Sequence, residues 1–206
     1  LAFDKLDEWS KILAEIDHAA QVQGVPAGAS TAEYGGTQFE VNLSHGDDPV
    51  LACDQALMLR RIVKGVAAKH GLDATFMSKP FGEQSGSGLH VHASLIDAHG
   101  QNIFDDSRTD GDLRMGQAIA GLQATAYEAM ALFAPNLNAF RRFEPDQFVP
   151  VNNAWGYNNR SVAFRIPAAQ GQARRIEHRI AGAEANPYLV MAAVLAGMHH
   201  GLTTQL

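Results

Sequence analysis

The sequence predicts an α+β fold in which long amphipathic helices flank a largely antiparallel sheet. Three observations carry this reading. Apolar residues recur at helical spacing in four stretches, short runs of period-two alternation lie between them, and the two kinds of element do not alternate in the βαβ order that builds parallel sheets.

Taken in order, the first helix covers Leu1 to Ala20, where Leu6, Trp9, Ile12, Leu13 and Ile16 form one apolar stripe and Gly24-Val25-Pro26 ends the pattern. A strand follows over Gln38 to Leu43. The second helix is announced by Asp48 as N-cap and Pro49 at the first helical position. Val50, Leu57, Ile62, Val63 and Val66 supply its apolar positions, and Gly71 lies just past its end. Further strands are expected at Ala74 to Ser78, Leu89 to Ile96, Ser161 to Pro167 and Arg175 to Ile180. A third helix is expected from about Asp110 to Leu132, and a fourth after Asn186-Pro187 to about Gly201. The chain shows no repeat, no low-complexity tract and no linker, so it is read as one unit.

Bulk properties narrow the function. With 206 residues, 46% of them hydrophobic, the chain suits a single domain with a sizeable core. A formal net charge of -6 argues against nucleic acid or an anionic membrane as partner. The lone Cys53 excludes an internal disulfide and points to a reducing, cytoplasmic setting. The apolar run from Tyr188 to Met198 is too short to span a bilayer. The N-terminus lacks the basic-then-apolar order of a signal peptide, and a chain that starts at Leu1 reads as a fragment.

Three polar strand faces could carry chemistry. In Leu89 to Leu95 the strand period sends His90, His92 and Ser94 to one face, with the imidazoles roughly 7 Å apart at about 3.3 Å of rise per residue. A bare His-x-His is as readily a solvated face as a metal or phosphate site. The preceding Gly86-Ser87-Gly88 favours the site, because backbone without side chains lets a ligand approach the main chain. In Gln38 to Leu43, Gln38, Glu40 and Asn42 oppose the core-facing Phe39, Val41 and Leu43. Glu33 would point away from Glu40 along one regular strand unless Gly35-Gly36 bends the chain and re-aims it.

The third face is the most unusual. Seven of the eleven arginines fall between Arg141 and Arg179, in a stretch with no lysine and only Glu144, Asp146 and Glu177 to balance them. Arginine in preference to lysine suits planar, bidentate capture of phosphate or carboxylate. The strand period also sets Glu177 between Arg175 and Arg179 on one face. Carboxylates, an imidazole and guanidinium groups together fit phosphoryl transfer, with Mg²⁺ or Mn²⁺ favoured over a structural zinc. The acceptor stays open on these residues alone.

Six segments in this order resemble the glutamine synthetase family: Glu33 to Glu40, Phe76-Met77-Ser78-Lys79-Pro80, Gly86 to His92, Asn159-Arg160-Ser161, Arg174-Arg175-Ile176-Glu177 and Asn186-Pro187-Tyr188-Leu189. Tyr34-Gly35-Gly36, Arg141-Arg142-Phe143 and the ending Val190 to Gly201 are most similar to its gamma-glutamylpolyamine ligase branch. The resemblance implies a curved sheet with helices on its outer face, truncated at both ends. It implies ATP as co-substrate and two divalent metals, one held by Glu33 and Glu40, the other by His90 and Glu177. His92, Ser94, Arg165 and Arg175 match nucleotide contacts, while Gly86, Arg142 and Arg179 match the glutamate pocket. Arg160 matches the arginine that steadies the phosphoryl group, and Arg165 is taken as catalytic with it. The implied reaction forms a gamma-glutamyl phosphate, which an amine then converts to the amide.

Two departures qualify this. Ammonia-using members carry a glutamate where this chain has Phe148, so a polyamine or other organic amine is the expected acceptor, with ammonia as the alternative. Ser85 stands where many members have asparagine. The family also has an N-terminal domain, further metal-ligating glutamates and a C-terminal extension that this chain lacks, and its active sites form between subunits of homo-oligomeric rings. The segment by itself is therefore expected to be inactive. A catalytically silent relative would have lost some of the metal and arginine positions, and a phosphagen-type kinase has no need of the Glu33, Glu40, His90 and Glu177 quartet.

Overall fold

A computed structural model describes residues 2–206. The described residues form two compact units, one of residues 2–76 and 80–86, the other of residues 77–79 and 87–206.

In the first unit, helix α1 (Ala2–Val22) leads into strand β1 (Ala27–Ala32), which pairs antiparallel with β2 (Phe39–Leu43) before helix α2 (Pro49–Lys69). Position 1 of the expected first helix lies outside the described residues. Asp48 caps α2 as its sequence position implies, its Oδ1 accepting from the backbone N–H of Val50 at 2.8 Å and Leu51 at 3.0 Å. Gly71 takes a φ of +71° just past the end, where a side chain would be strained. Ile16 and Ala20 of α1 bury against Leu59, Ile62 and Val66 of α2, and Val41 and Leu43 of β2 pack on that cluster. The apolar side of β2 is therefore the side the alternation assigned to the core.

The second unit holds a four-stranded sheet in the order β3-β6-β5-β4: Val91–Ala93, Ile176–His178, Phe164–Ile166 and Trp155–Tyr157. The β3–β6 and β5–β6 pairs are antiparallel and β4–β5 is parallel. Helices α3 (Gly111–Thr125), α4 (Met130–Phe133), α5 (Leu137–Phe140) and α6 (Pro187–Thr204) complete it. Asn186 caps α6 through Tyr188 N at 3.0 Å. Val91, Phe164 and Ile176 on one sheet face join Met115, Ile119 and Leu122 of α3 and Val190, Val194 and Met198 of α6 in a continuous core. Helices α3 and α6 meet backbone to backbone, since a Cβ on Gly121 would collide with the Gly197 carbonyl and one on Gly201 with the Gln117 carbonyl. No helix among the described residues is long and apolar enough to cross a membrane.

Several expected elements differ. Residues 74–78 form no strand, because they find no ladder partner. The helix expected from Asp110 to Leu132 stops at Thr125 and resumes as the single turn α4. Strands β1 and β4 were not expected. The strands expected at 89–96, 161–167 and 175–180 form, each reduced to three ladder residues.

Candidate functional site

In the first unit the carboxylates ride on the β1–β2 hairpin. Thr31 faces Glu40 and Ala32 faces Phe39, and a bond from Glu33 N to Gln38 O at 3.0 Å extends this register by one pair. Cross-strand partners share a face, and so do residues two apart on one strand. Glu33 therefore shares a face with Gln38 and Glu40. The parity argument for a single strand, which set the two glutamates on opposite faces, does not apply because residues 34–37 reverse the chain. The amide of Asn42 donates to Glu40 Oε1 at 3.0 Å on this same side.

In the second unit one row of residues runs straight across the sheet. His92 faces Glu177, Glu177 faces Arg165, and Arg165 faces Gly156, so the first three side chains project from the face opposite the core, beside a glycine. Glu177 is 2% exposed. Its Oε2 accepts from the Arg165 guanidinium at 2.7 Å, and its Oε1 accepts from the Arg179 guanidinium. Asn158 Oδ1 accepts a second Arg165 bond at 2.9 Å. Arg175 donates to His92 Nδ1 at 3.1 Å, and Arg179 also reaches the Phe148 carbonyl at 3.2 Å. Arg142, equally buried, donates to the carbonyls of Ile180 at 2.8 Å and Arg179 at 3.1 Å. Gly88 makes room for this: a Cβ there would meet both Arg142 and His90.

The electrostatics of this face are those of an anion site. Burial, reinforced by the charge of Arg179, lowers the Arg142 guanidinium to about 10. Burial likewise lowers Arg179, partly offset by Glu177, with Arg165 and Arg160 adding repulsion. Arg165 and Arg179 thus share one carboxylate, with the charge of Arg179 acting on Arg142 as well. The Nε atoms of Arg142, Arg165 and Arg179 are buried with no hydrogen-bond partner among the described residues. Buried donors of this kind are rarely left unsatisfied in a folded protein, so an acceptor-rich anion is the group they fit.

His90 Nδ1 lies 3.4 Å from Glu177 Oε1, and His92 Nε2 lies 3.9 Å from it. Burial first, then Arg179 and Arg142, hold the His90 imidazole well below its usual value. It is therefore neutral, as a metal ligand must be. Burial lowers His92 too, against the pull of Glu177. Among the described residues no group of three or more His, Cys, Asp or Glu side chains is arranged around one metal position. An imidazole beside one carboxylate fits a hard divalent cation of the Mg²⁺ type, which takes few protein ligands and completes its shell with water and phosphate oxygens.

Of the remaining expected residues, Ser94 is exposed just past β3 and Arg160 is exposed after β4. Phe148 is 49% exposed at a φ of +52°, and Asp146 beside it has a φ of +63°. Gly86 belongs to the first unit, where its carbonyl accepts from the Gln38 amide at 2.9 Å. Sequence reasoning set Gln38 on the polar face of its strand but gave it no role, and it missed Asn158. It also missed Lys79, whose buried ammonium reaches Glu144 Oε2 at 2.8 Å. Nothing local marks Gln38 and Lys79, since their partners lie 48 and 65 residues away, while Asn158 meets Arg165 only because β4 and β5 pair.

The glutamine synthetase catalytic-domain family matches residues 1–206. The chain belongs to that family. It is 45% identical over 203 residues to gamma-glutamylputrescine synthetase PuuA of Escherichia coli K12, covering 98% of this chain and 43% of that protein. It is 39% identical over 199 residues to glutamate–isopropylamine ligase of a Pseudomonas species, covering 96% of this chain and 43% of that one. A solved structure of GmaS without ligand superposes with a TM-score of 0.85 at 32% identity, over 98% of this chain and 46% of its own. The fold is that of the family, and the chain spans less than half the length of these relatives.

Proposed function

We propose that the full-length protein is an ATP- and divalent-metal-dependent ligase that joins the side-chain carboxylate of glutamate to an organic amine. The observation that carries this is the buried Glu177 paired with Arg165 and Arg179, which together with Arg142 present three buried Nε donors without an acceptor among the described residues. Such a face suits phosphate and carboxylate groups held together.

Arg142 and Arg179 of the second unit bind the carboxylates of glutamate, and Gly86 of the first contributes to its capture. Arg165 and Arg175, with His92 and Ser94, hold the nucleotide, and Arg160 steadies the phosphoryl group as it transfers. The glutamate carboxylate oxygen attacks the terminal phosphorus of ATP, and the bond to ADP breaks. The amine nitrogen then attacks the acyl carbon, loses a proton, and inorganic phosphate leaves. Preorganised guanidinium groups in a water-poor site stabilise charge on the transferring oxygens without reorganising during the step. Glu33 and Glu40 would hold one Mg²⁺ or Mn²⁺ and His90 with Glu177 the other, and such ions neutralise phosphate charge.

The amine is set by Phe148. Where a carboxylate would draw in ammonium, this chain presents a half-exposed aromatic ring, which favours an alkyl or polyamine chain. PuuA and the isopropylamine ligase carry such acceptors in their names. The test is phosphate release by the full-length protein with ATP, Mg²⁺, glutamate and a panel of putrescine, isopropylamine and ammonium. Putrescine or isopropylamine should exceed ammonium in kcat/KM by at least about tenfold, and Phe148→Glu should shift the ratio toward ammonium. A wild-type preference for ammonium would remove the organic-amine reading. Sedimentation of the same protein checks the homo-oligomeric ring that this reading includes.

A further inference from the structure

We infer that Gln38 is a positioning residue that ties the carboxylate hairpin to the loop of residues 80–86, and so sets the glutamate-binding Gly86 against the metal-binding carboxylates. The inference rests on the proposed ligase reading for what those two segments do.

The connection itself lies within the first unit. Gln38 is the hairpin residue opposite Glu33 and two before Glu40. Its Oε1 accepts from Gly35 N at 3.1 Å inside the turn, and its Nε2 donates to the Gly86 carbonyl at 2.9 Å, 48 residues away in sequence. Gln84 adds a parallel strut, its Oε1 accepting from Gly36 N at 3.3 Å. The two ends of the amide are not interchangeable. Flipped, the oxygen would oppose the Gly86 oxygen and the NH₂ would oppose the Gly35 N–H, so both contacts would turn repulsive. Gly35 is buried against this side chain, and a Cβ there would come within 3.0 Å of Gln38 Cβ. One primary amide thus fixes the turn that joins Glu33 to Glu40 and also the carbonyl of Gly86. Of the natural side chains, asparagine has the same paired ends but is one methylene too short to span both partners.

The consequence is selective. Losing the strut frees the loop of residues 80–86, which should weaken glutamate capture while leaving nucleotide capture by the arginines of the second unit intact. Gln38→Glu separates the two bonds, because a carboxylate still accepts from Gly35 N but repels the Gly86 oxygen. Gln38→Leu removes both.

The experiment uses the full-length protein with two readouts. Hydrogen exchange of a peptide covering 80–88 tests the tether, and KM values for glutamate and ATP test its role. Gln38→Leu and Gln38→Glu should each speed exchange of that peptide. Each should also raise the glutamate KM by about tenfold or more with the ATP KM within about twofold, the effect expected from one or two lost hydrogen bonds. Unchanged exchange in both variants overturns the inference, as does an equal rise in both KM values, which would mark a general structural defect. If Gln38→Leu does not fold, Gln38→Glu carries both readouts. If wild-type protein forms no glutamyl amide at all, the ligase reading fails, and exchange still decides whether Gln38 holds the loop.

Discussion

His178 sits between Glu177 and Arg179 yet faces the opposite way, into the core, where its ring lies 4.4 Å from that of Phe133 and 5.6 Å from that of Phe164. Neither ring nitrogen has a hydrogen-bond partner among the described residues. Burial, with the charge of Arg142, lowers it to about 3 against an ordinary 6.5, so it stays neutral in the fold. The sign of its pH effect follows. Below pH 6.5 the unfolded chain binds a proton that the folded chain refuses, so stability falls as pH drops from 6.5 toward 3, by roughly 2 kcal/mol at pH 5. His178→Phe removes that proton and two unsatisfied polar atoms at similar volume. Thermal melts should show the variant as stable as wild type or more so at pH 7.5, with a visibly shallower loss between pH 6.5 and pH 5. A parallel loss in both proteins would mean that His178 does not drive the acid sensitivity.

At the scale of elements, the loop from Arg141 to Pro150 is stapled by Lys79. The Lys79 backbone exchanges two hydrogen bonds with the Asn138 side chain of α5, at 2.9 and 2.8 Å, while its ammonium, 2% exposed, reaches the 47% exposed Glu144. The two halves of this pair should differ on deletion. Glu144→Ala leaves a buried ammonium without its counter-ion and should cost about 2 kcal/mol, whereas Lys79→Met leaves Glu144 free to hydrate and should cost less than half of that. Urea unfolding of both variants checks this, and equal costs would refute the asymmetry. The ends of α2 and α6 were legible because Asp48-Pro49 and Asn186-Pro187 act locally, through hydrogen bonds two and three residues on. So were the polar faces of β2, β3 and β6, where alternation depends only on strand geometry. Strand β1 was not, because Ala27–Ala32 is built from small residues without an apolar period. The break after α3 was hidden as well: no Gly or Pro marks it, but the Thr125 hydroxyl bonds back to the Gly121 carbonyl at 3.0 Å, a contact that bends helices. The contacts of Gln38 and Lys79 were illegible for a different reason, since their partners are 48 and 65 residues away.

For the whole molecule, the division into two units assigns the expected site residues to different cores. Glu33, Glu40 and Gly86 belong to the first, and His90, Arg142, Arg165, Glu177 and Arg179 to the second. Among the described residues the first unit buries a modest cluster around Ile16, Leu59, Ile62 and Val66, whereas the second buries three large residues, Phe104, Phe164 and Met115, at 1% exposure or less. Stability per unit scales with the apolar area removed from water, so the two should open at different free energies. Native-state hydrogen exchange on this chain should find the slowest amides in α3 and α6, which meet backbone to backbone, and clearly faster exchange in β1, β2 and α1. Uniform protection across both units would show a single cooperative transition, with the smaller core held up by the larger. Added protection of the second unit by glutamate in the full-length protein would follow from mass action, because a ligand stabilises the element it binds, here the one that carries Arg142 and Arg179.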